Sequence, residues 1–347
     1  MTRPAGAEPA EEAAAPEDPH ELRRLAEKAL ARWDLDHAGI SPIKIRENAV
    51  FRVDLRDGGR VALRVHRAGY HSDAALQSEF EWMAALHQAG IEVPRAMPSR
   101  AGRLFERIEA RGAADGRLVD VLEWVEGRQL GALESGLGVG EGAVARCYVT
   151  LGEIAARMHN QSSAWRPPAG FVRHHWCEQG LAGPAPLWGR FWELEQLSQP
   201  QRTLLAAARR AIRRDLLAYG KSSRNFGLIH ADLVPENLMV EGDRVRVIDF
   251  DDAGYGWHLF DLATSLYFLR DKADFDAALD AFLDGYRRHR PLPQSELAHL
   301  PLFLAARGTT YLGWVHEKKE TETARTLTPV LIAYACAAAE AYLKGRG

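Results

Sequence analysis

Cysteine is scarce in this 347-residue chain: Cys147, Cys177 and Cys336 are odd in number and far apart. They form neither a metal-type pair nor a disulfide framework, and read as small buried hydrophobes in a reducing cytoplasm. No stretch of about 18 uncharged apolar residues occurs, so no membrane span is expected. The N-terminus lacks a basic segment followed by an apolar core, which argues against a secretory signal. Charge of one sign is also lacking. A formal net charge of -3, with 46% hydrophobic and 26% charged residues, excludes the concentrated basic excess of a nucleic-acid binder. There is no internal repeat, which excludes solenoids and propellers. The length then leaves one large domain or two coupled ones.

Residues 1–20 are mostly Ala, Glu and Pro and carry almost no bulky apolar side chain, so they are expected to form a disordered tail. From Ile43 to Val125 the pattern is largely β. Phe51–Leu55 alternates apolar and polar residues, Asp57-Gly58-Gly59 supplies turn residues, and Val61–Val65 returns as a second strand. A helix is expected from Ser72 to Gln88, with Leu76, Phe80, Met83 and His87 at helical spacing and Gly90 as its stop. Strand-like runs follow at Leu104–Ile108 and Leu118–Val125. Beyond Gly127 the pattern is mainly helical, and strands return at Leu238–Val240 and Val245–Ile248. The irregular stretch 161–200 holds Pro167, Pro168, Pro184 and Pro186 among many aromatics, a length of loop that is often functional.

Chemistry concentrates in Leu228-Ile229-His230-Ala231-Asp232-Leu233-Val234-Pro235-Glu236-Asn237, followed by Val245-Arg246-Val247-Ile248-Asp249-Phe250-Asp251-Asp252. Glu241-Gly242-Asp243-Arg244 makes a plausible hairpin turn between two short strands. If Val240 faces Val245, the open end of that ribbon brings Asn237 and Asp249 together. Two oxygen ligands, one anionic, then suit a Mg²⁺ carrying phosphates. Asp232 lies in the loop just before, where a carboxylate could orient a hydroxyl and accept its proton. A polar loop with an Asp-capped strand end would look similar in isolation, but the His-x-Asp-x₄-Asn spacing between a strand and a hairpin favours the site.

This run resembles the catalytic segment of the aminoglycoside phosphotransferase and choline kinase-like superfamily, and is especially similar to the bacterial branch with type II homoserine kinases and the stress-response protein kinase. The resemblance implies an α+β, protein-kinase-like two-lobed fold: a nucleotide-binding lobe over residues 21–126 and a catalytic, acceptor-binding lobe over 127–347. It implies ATP as co-substrate and Mg²⁺ as cofactor, Asp232 as the catalytic carboxylate, Asn237 and Asp249 as metal ligands, His230 as a structural hydrogen-bonding residue, and Asp261 as a brace of the catalytic loop. In the family a basic residue on the third strand contacts phosphate and pairs with a helix glutamate. Arg64 stands there, where Lys is commoner; it keeps the charge and two-donor grip. At about 100° per residue, Glu79 lies about 70° from the centre of the Leu76/Phe80/Met83 stripe and Glu81 about 130° away, which makes Glu79 the partner and Glu81 a solvated charge. Glu47-Asn48-Ala49-Val50 is no Gly-rich loop, and Asn48 is its candidate phosphate contact. Glu123-Trp124-Val125 resembles the hinge whose backbone holds adenine.

Asp251 and Asp252 either add metal or acceptor contacts or sit in solvent. The acceptor wall is expected from Phe171, His174, His175, Trp176, Tyr255, Trp257, Trp314 and Glu317, although each aromatic taken singly is as readily core. Arg173, His174 and His175 beside Glu178 give no charge preference. The function implied is transfer of the ATP γ-phosphoryl group to a hydroxyl of a small cytoplasmic molecule, with a Ser/Thr protein kinase as the alternative. A nucleotide-binding regulator without turnover fits poorly, since Asp232, Asn237 and Asp249 are all present.

Overall fold

A computed structural model of the chain describes residues 18–345 apart from 46–47, 111–112, 133–135 and 138–140. The expected tail thus lies outside the described residues up to residue 17, but its last residues belong to helix α1 (Pro19–Leu30). Asp18 accepts a hydrogen bond from the His20 amide, and Pro19 occupies the first turn, where no backbone donor is needed. Strand β1 (His37–Ile45) also begins earlier than the sequence pattern indicated. Only Ile40 of its nine residues is buried, so no alternation marks it.

The Asp57-Gly58-Gly59 turn joins β2 (Ala49–Leu55) to β3 (Arg60–Val65). Asp57 Oδ1 accepts from the Gly59 amide at 2.8 Å, and Gly58 takes φ 89°. Helix α2 (Asp73–Gln88) is capped by Ser72, and it buries Leu86 where the sequence reading put His87, which is exposed. Strands β4 (Phe105–Ala110) and β5 (Ala113–Glu123) complete a five-stranded sheet of order β1-β2-β3-β5-β4. Phe51, Val53, Leu63, Val65, Val119 and Val121 are fully buried in one cluster with the apolar stripe of α1. Each such side chain contributes about 1.5–3 kcal/mol relative to exposure, which fixes this face on α1 and leaves Val50, Ala62, Arg64 and Leu122 on the opposite face, toward the cleft.

After β5 the chain turns at Gly127, with φ 124°, and a Cβ added there would lie 2.8 Å from the Val240 carbonyl oxygen. Only glycine fits, and β6 (Arg128–Gln129) can therefore lie against the later hairpin. The two-residue strands β7 (Gly131–Ala132) and β8 (Gly136–Leu137) pair next. Helices follow: α3 (Glu141–Ala164), α4 (Glu178–Ala182) and α5 (Gln199–Tyr219), the last begun by a Ser198/Gln201 capping box. A small sheet that the sequence pattern did not show joins β9 (His174–Trp176), β10 (Phe226–Ile229) and β13 (Gly254–Trp257) in the order β10-β13-β9. Between β10 and β13 runs the hairpin β11 (Leu238–Glu241) and β12 (Arg244–Val247). Its register sets Val240 opposite Val245, as the sequence reading had it.

The chain ends in α6 (His258–Leu266), α7 (Phe275–Arg287), α8 (Gln294–Leu297), α9 (Leu300–Glu317) and α10 (Glu322–Lys344). By length and composition α10 is apolar enough to cross a membrane, although charged residues interrupt it as the sequence reading noted. Its Leu327, Leu331, Ala335 and Ala338 are buried in the main core, and the helix packs on α9 and α5 as a core helix does.

Candidate active site

The loop after β10 is shaped by buried polar groups. Asp261, on the first turn of α6, accepts from the amides of His230 at 3.0 Å and Ala231 at 2.7 Å, and also meets His159 Nε2 at 3.1 Å. That grip holds Ala231 at φ 66°, a conformation alanine rarely adopts. Burial nonetheless pushes the Asp261 carboxyl up to about 6. His230 accepts from the Asp232 amide at Nδ1, 3.2 Å, while Nε2 lies 3.1 Å from the Ile248 carbonyl and donates to it. Burial depresses its pKa to about 4, so the ring is neutral near pH 7 and ties the loop to β12.

Asp232 is held from two sides. Arg307 Nη2 donates to Oδ1 at 2.6 Å, and Asn237 Nδ2 donates to Oδ2 at 2.8 Å and to the Asp232 carbonyl at 3.0 Å. Its side chain keeps 21% exposure and lines the cleft between the sheet and the helical body, a space of about 1760 Å³. With Nδ2 of Asn237 committed, Oδ1 is the atom left to ligate a cation. The hairpin sets Asn237 beside Ile248, whose amide donates to the Asn237 carbonyl at 2.9 Å, and Asp249 follows at φ 67°. Both Asn237 and Asp249 line the cleft. Loss of water around Asp249, with Asp251 nearby, pushes its carboxyl up to about 7. A carboxylate and an amide oxygen form the all-oxygen donor set that Mg²⁺ prefers, and a dication would relieve the charge that this crowding penalises.

The two following aspartates do not sit in solvent. Asp251 is buried, lies 3.0 Å from His71 and 3.5 Å from His66, and is held well below the usual carboxylate range chiefly by these rings, against the effect of burial. Asp252 lines the cleft, accepting from Tyr70 Oη at 2.5 Å and from Trp188 Nε1 at 3.2 Å. Burial and the neighbouring acids push it well up, and among the described residues no cationic side chain pairs with it.

Across the cleft, Arg64 is 4% exposed. Its Nη2 meets Glu79 at 2.9 Å, and Asp120 on β5 grips Nε at 3.0 Å and Nη2 at 2.9 Å. Nη1 is buried with no partner among the described residues, a free donor in a residue that lines the cleft. Arg173 locks the far side: it donates to the carbonyls of Phe250, Asp251 and Ala253 and lies 3.4 Å from Glu79. Asp120, Arg173 and Arg307 belong to no motif in the sequence. Only the fold brings them here.

Asn48 lines the cleft, but its Oδ1 accepts from the Arg67 amide at 3.1 Å, which leaves its amide nitrogen for a phosphate. Glu123 and Val125 also line it. The Glu123 side chain pairs with Arg95 and its amide donates to the Arg95 carbonyl at 2.9 Å, leaving its own carbonyl as the group a base could use. Glu81 is half-buried and accepts from Gln77. Of the eight acceptor-wall candidates, Trp314 and Glu317 line the cleft. Trp176 and Trp257 are fully buried core, His175 stacks on Tyr255, and Phe171 packs edge-on against Trp165. Tyr70, Trp188, Phe268, Tyr311 and Tyr334 also line the cleft.

A β-rich layer carrying a buried Arg–Glu pair, set over a helical body carrying His230, Asp232, Asn237 and Asp249, defines a kinase-like fold with a cleft between the layers. Residues 39–294 match the model of the phosphotransferase enzyme family, and the chain belongs to that family. The microcompartment-associated aminopropanol kinase superposes with a TM-score of 0.82 at 31% identity, over 93% of this chain and 98% of that one. The homoserine kinase of Pseudomonas aeruginosa (strain UCBPP-PA14) is 30% identical over 81% of this chain and 82% of its own. The amicoumacin kinase of Bacillus subtilis (strain 168) is 25% identical over 88% of this chain and 87% of its own. The chain is an ATP-dependent phosphotransferase.

Proposed function

We propose that this enzyme transfers the γ-phosphoryl group of Mg²⁺-ATP to the hydroxyl of a small molecule that carries an amine near that hydroxyl. The observation that carries the transfer is the double anchoring of Asp232 at the cleft surface, one oxygen on Arg307 and the other on Asn237. A carboxylate so fixed keeps lone pairs on the cleft side, orients an incoming alcohol and takes its proton as the O–P bond forms. Arg64 offers Nη1 to the phosphates, Asn48 adds its amide, and the backbone from Glu123 to Val125 receives the base. Asn237 Oδ1 and Asp249 would hold the cation, which when bound neutralises phosphate charge. A solved amicoumacin kinase with this fold carries AMP-PNP and Ca²⁺.

For the acceptor, aminopropanol and homoserine each pair a hydroxyl with an amine, and these are the molecules for which two of the relatives are named. The wall of Trp188, Tyr311 and Trp314 with Asp252, which has no cationic partner among the described residues, suits an ammonium group, through aromatic faces and a carboxylate. The relatives are named for small molecules, which disfavours a protein acceptor.

The test is ADP release with aminopropanol, homoserine and a protein acceptor, with ³¹P NMR to locate the phosphate. A phosphoester on the hydroxyl of either amino alcohol is expected; phosphorylation of the protein alone overturns the acceptor assignment. Asp249→Ala should remove the Mg²⁺ dependence of ATP affinity in calorimetry. Unchanged Mg²⁺-dependent binding would take the metal elsewhere.

A further inference from the structure

Arg307 sits on α9, 75 residues beyond Asp232, and is fully buried. Its guanidinium is spent on one loop. Nη2 donates to Asp232 Oδ1 at 2.6 Å and to Tyr311 Oη at 2.9 Å, and Nη1 donates to the Ala231 carbonyl at 3.1 Å. Tyr311, Trp188 and Phe260 surround it, with ring centroids 4.3, 4.8 and 5.7 Å from Cζ. Nε has no partner among the described residues.

An arginine kept only to secure α9 would be poorly chosen. The helix already buries Leu302, Phe303, Leu304, Ala305, Ala306 and Leu312, and a buried guanidinium with an orphan donor is a burden on it. What the guanidinium does secure is two consecutive residues: the carbonyl of Ala231, held in a strained left-handed conformation, and the carboxylate of Asp232. Asn237 holds the other carboxylate oxygen, so the carboxylate is gripped at both ends. Arg307 does not line the cleft and would touch no substrate.

We infer that Arg307 is the positioning residue of the reaction: from beneath the Trp188 ring it fixes the rotamer of Asp232, holding the carboxylate toward the acceptor hydroxyl and away from the cation site. This rests on Asp232 being the base. Misplacing a reacting group by about 1 Å can cost about a hundredfold in rate, which sets the scale of the effect. A lysine keeps one charge but cannot reach Asp232, the Ala231 carbonyl and Tyr311 from one planar fork.

The experiment is a double-mutant cycle on the full chain with aminopropanol and homoserine as acceptors. Arg307→Lys should lower kcat by about 10–100-fold while leaving the KM for ATP within about twofold. In the Asp232→Asn background the same change should lower kcat by less than about twofold, because there is no base left to position. Guanidine added to Arg307→Ala should restore part of kcat, and should restore none in Arg307→Ala/Asp232→Asn. Equal losses in both backgrounds, a parallel rise in the KM for ATP, or an Arg307→Lys chain that does not fold would each make Arg307 a structural residue and overturn the inference. If the wild-type enzyme turns over neither acceptor, the acceptor assignment fails by itself, and the cycle is read on hydrolysis of Mg²⁺-ATP, with water in the acceptor's place.

Discussion

Two buried arginines, one in the sheet layer and one in the helical body, are wired differently. Arg64 rises from the sheet into two carboxylates, Glu79 and Asp120, and keeps Nη1 uncommitted in a residue that lines the cleft. Arg307 comes from beneath, on α9, with a single carboxylate, a carbonyl and a phenol as partners, and stays out of the cleft. Both are held charged by their acids, against the cost of burial. The proposed roles divide along this line: the first, braced by two acids, keeps a donor for a phosphate, and the second spends its donors on the proposed base. On that proposal the same side chain serves binding in one layer and positioning in the other, according to whether its partners leave a donor free.

The largest expected effect is on the Arg307 side. Asp232→Asn removes general-base assistance and should lower kcat by about 10²–10⁴-fold, with Mg²⁺-ATP affinity within about threefold. Because Arg307 then loses its only anion, stability should also fall, by about 1–3 kcal/mol, which urea unfolding will show. A near-normal kcat would remove the base from the Arg307 side altogether.

The next effect belongs to Arg64. Arg64→Ala should raise the KM for ATP about tenfold or more, as expected for losing a charge-assisted phosphate contact, and should leave kcat less affected. It should also destabilise the chain by about 1–3 kcal/mol, since among the described residues Glu79 would keep only Arg173, at 3.4 Å, and Asp120 only His66, at 2.5 Å. Arg64→Lys sharpens the point: an ammonium can serve the phosphate but not two carboxylates at once, so binding should recover more than melting temperature. If Arg64→Ala instead lowered kcat as deeply as Asp232→Asn with KM unmoved, the division between the two layers would collapse.

The two sides were unequally legible in the sequence. His230, Asp232, Asn237 and Asp249 lie within one strand–loop–hairpin unit, where local pairing rules determine who meets whom, so the Val240–Val245 register could be read directly. Arg64 and Glu79 were within reach too, because strand alternation and helical phase place each on a face. Asp120, Arg173 and Arg307 were not. Asp120 and Arg307 are polar residues inside apolar runs and Arg173 opens a polar one, and what each meets depends on packing between elements 56 to 98 residues away. The acceptor wall failed for a related reason. An aromatic residue in a loop carries no local sign of whether it faces a cleft, as Trp188 does, or the core, as Trp176 does.

A third arginine pair gives the contrast its lower bound. At the end of β5, beside the proposed base-binding segment, Glu123 pairs with Arg95 within hydrogen-bond reach, much as Glu79 pairs with Arg64. Here, however, both side chains are open to solvent, at 57% for Arg95 and 41% for Glu123. Water competes for each charge and salt screens the attraction, so such a pair adds little. The role proposed for Glu123 runs through its backbone, which an alanine keeps. Glu123→Ala should therefore leave the KM for ATP within about twofold and lower the melting temperature by no more than about 2 °C, with the small loss shrinking further at high salt. Kinetics and thermal scans at low and high ionic strength decide it. A tenfold rise in KM would mean that the carboxylate itself reaches the nucleotide, and that the exposed pair in the sheet layer belongs with Arg64 rather than apart from it.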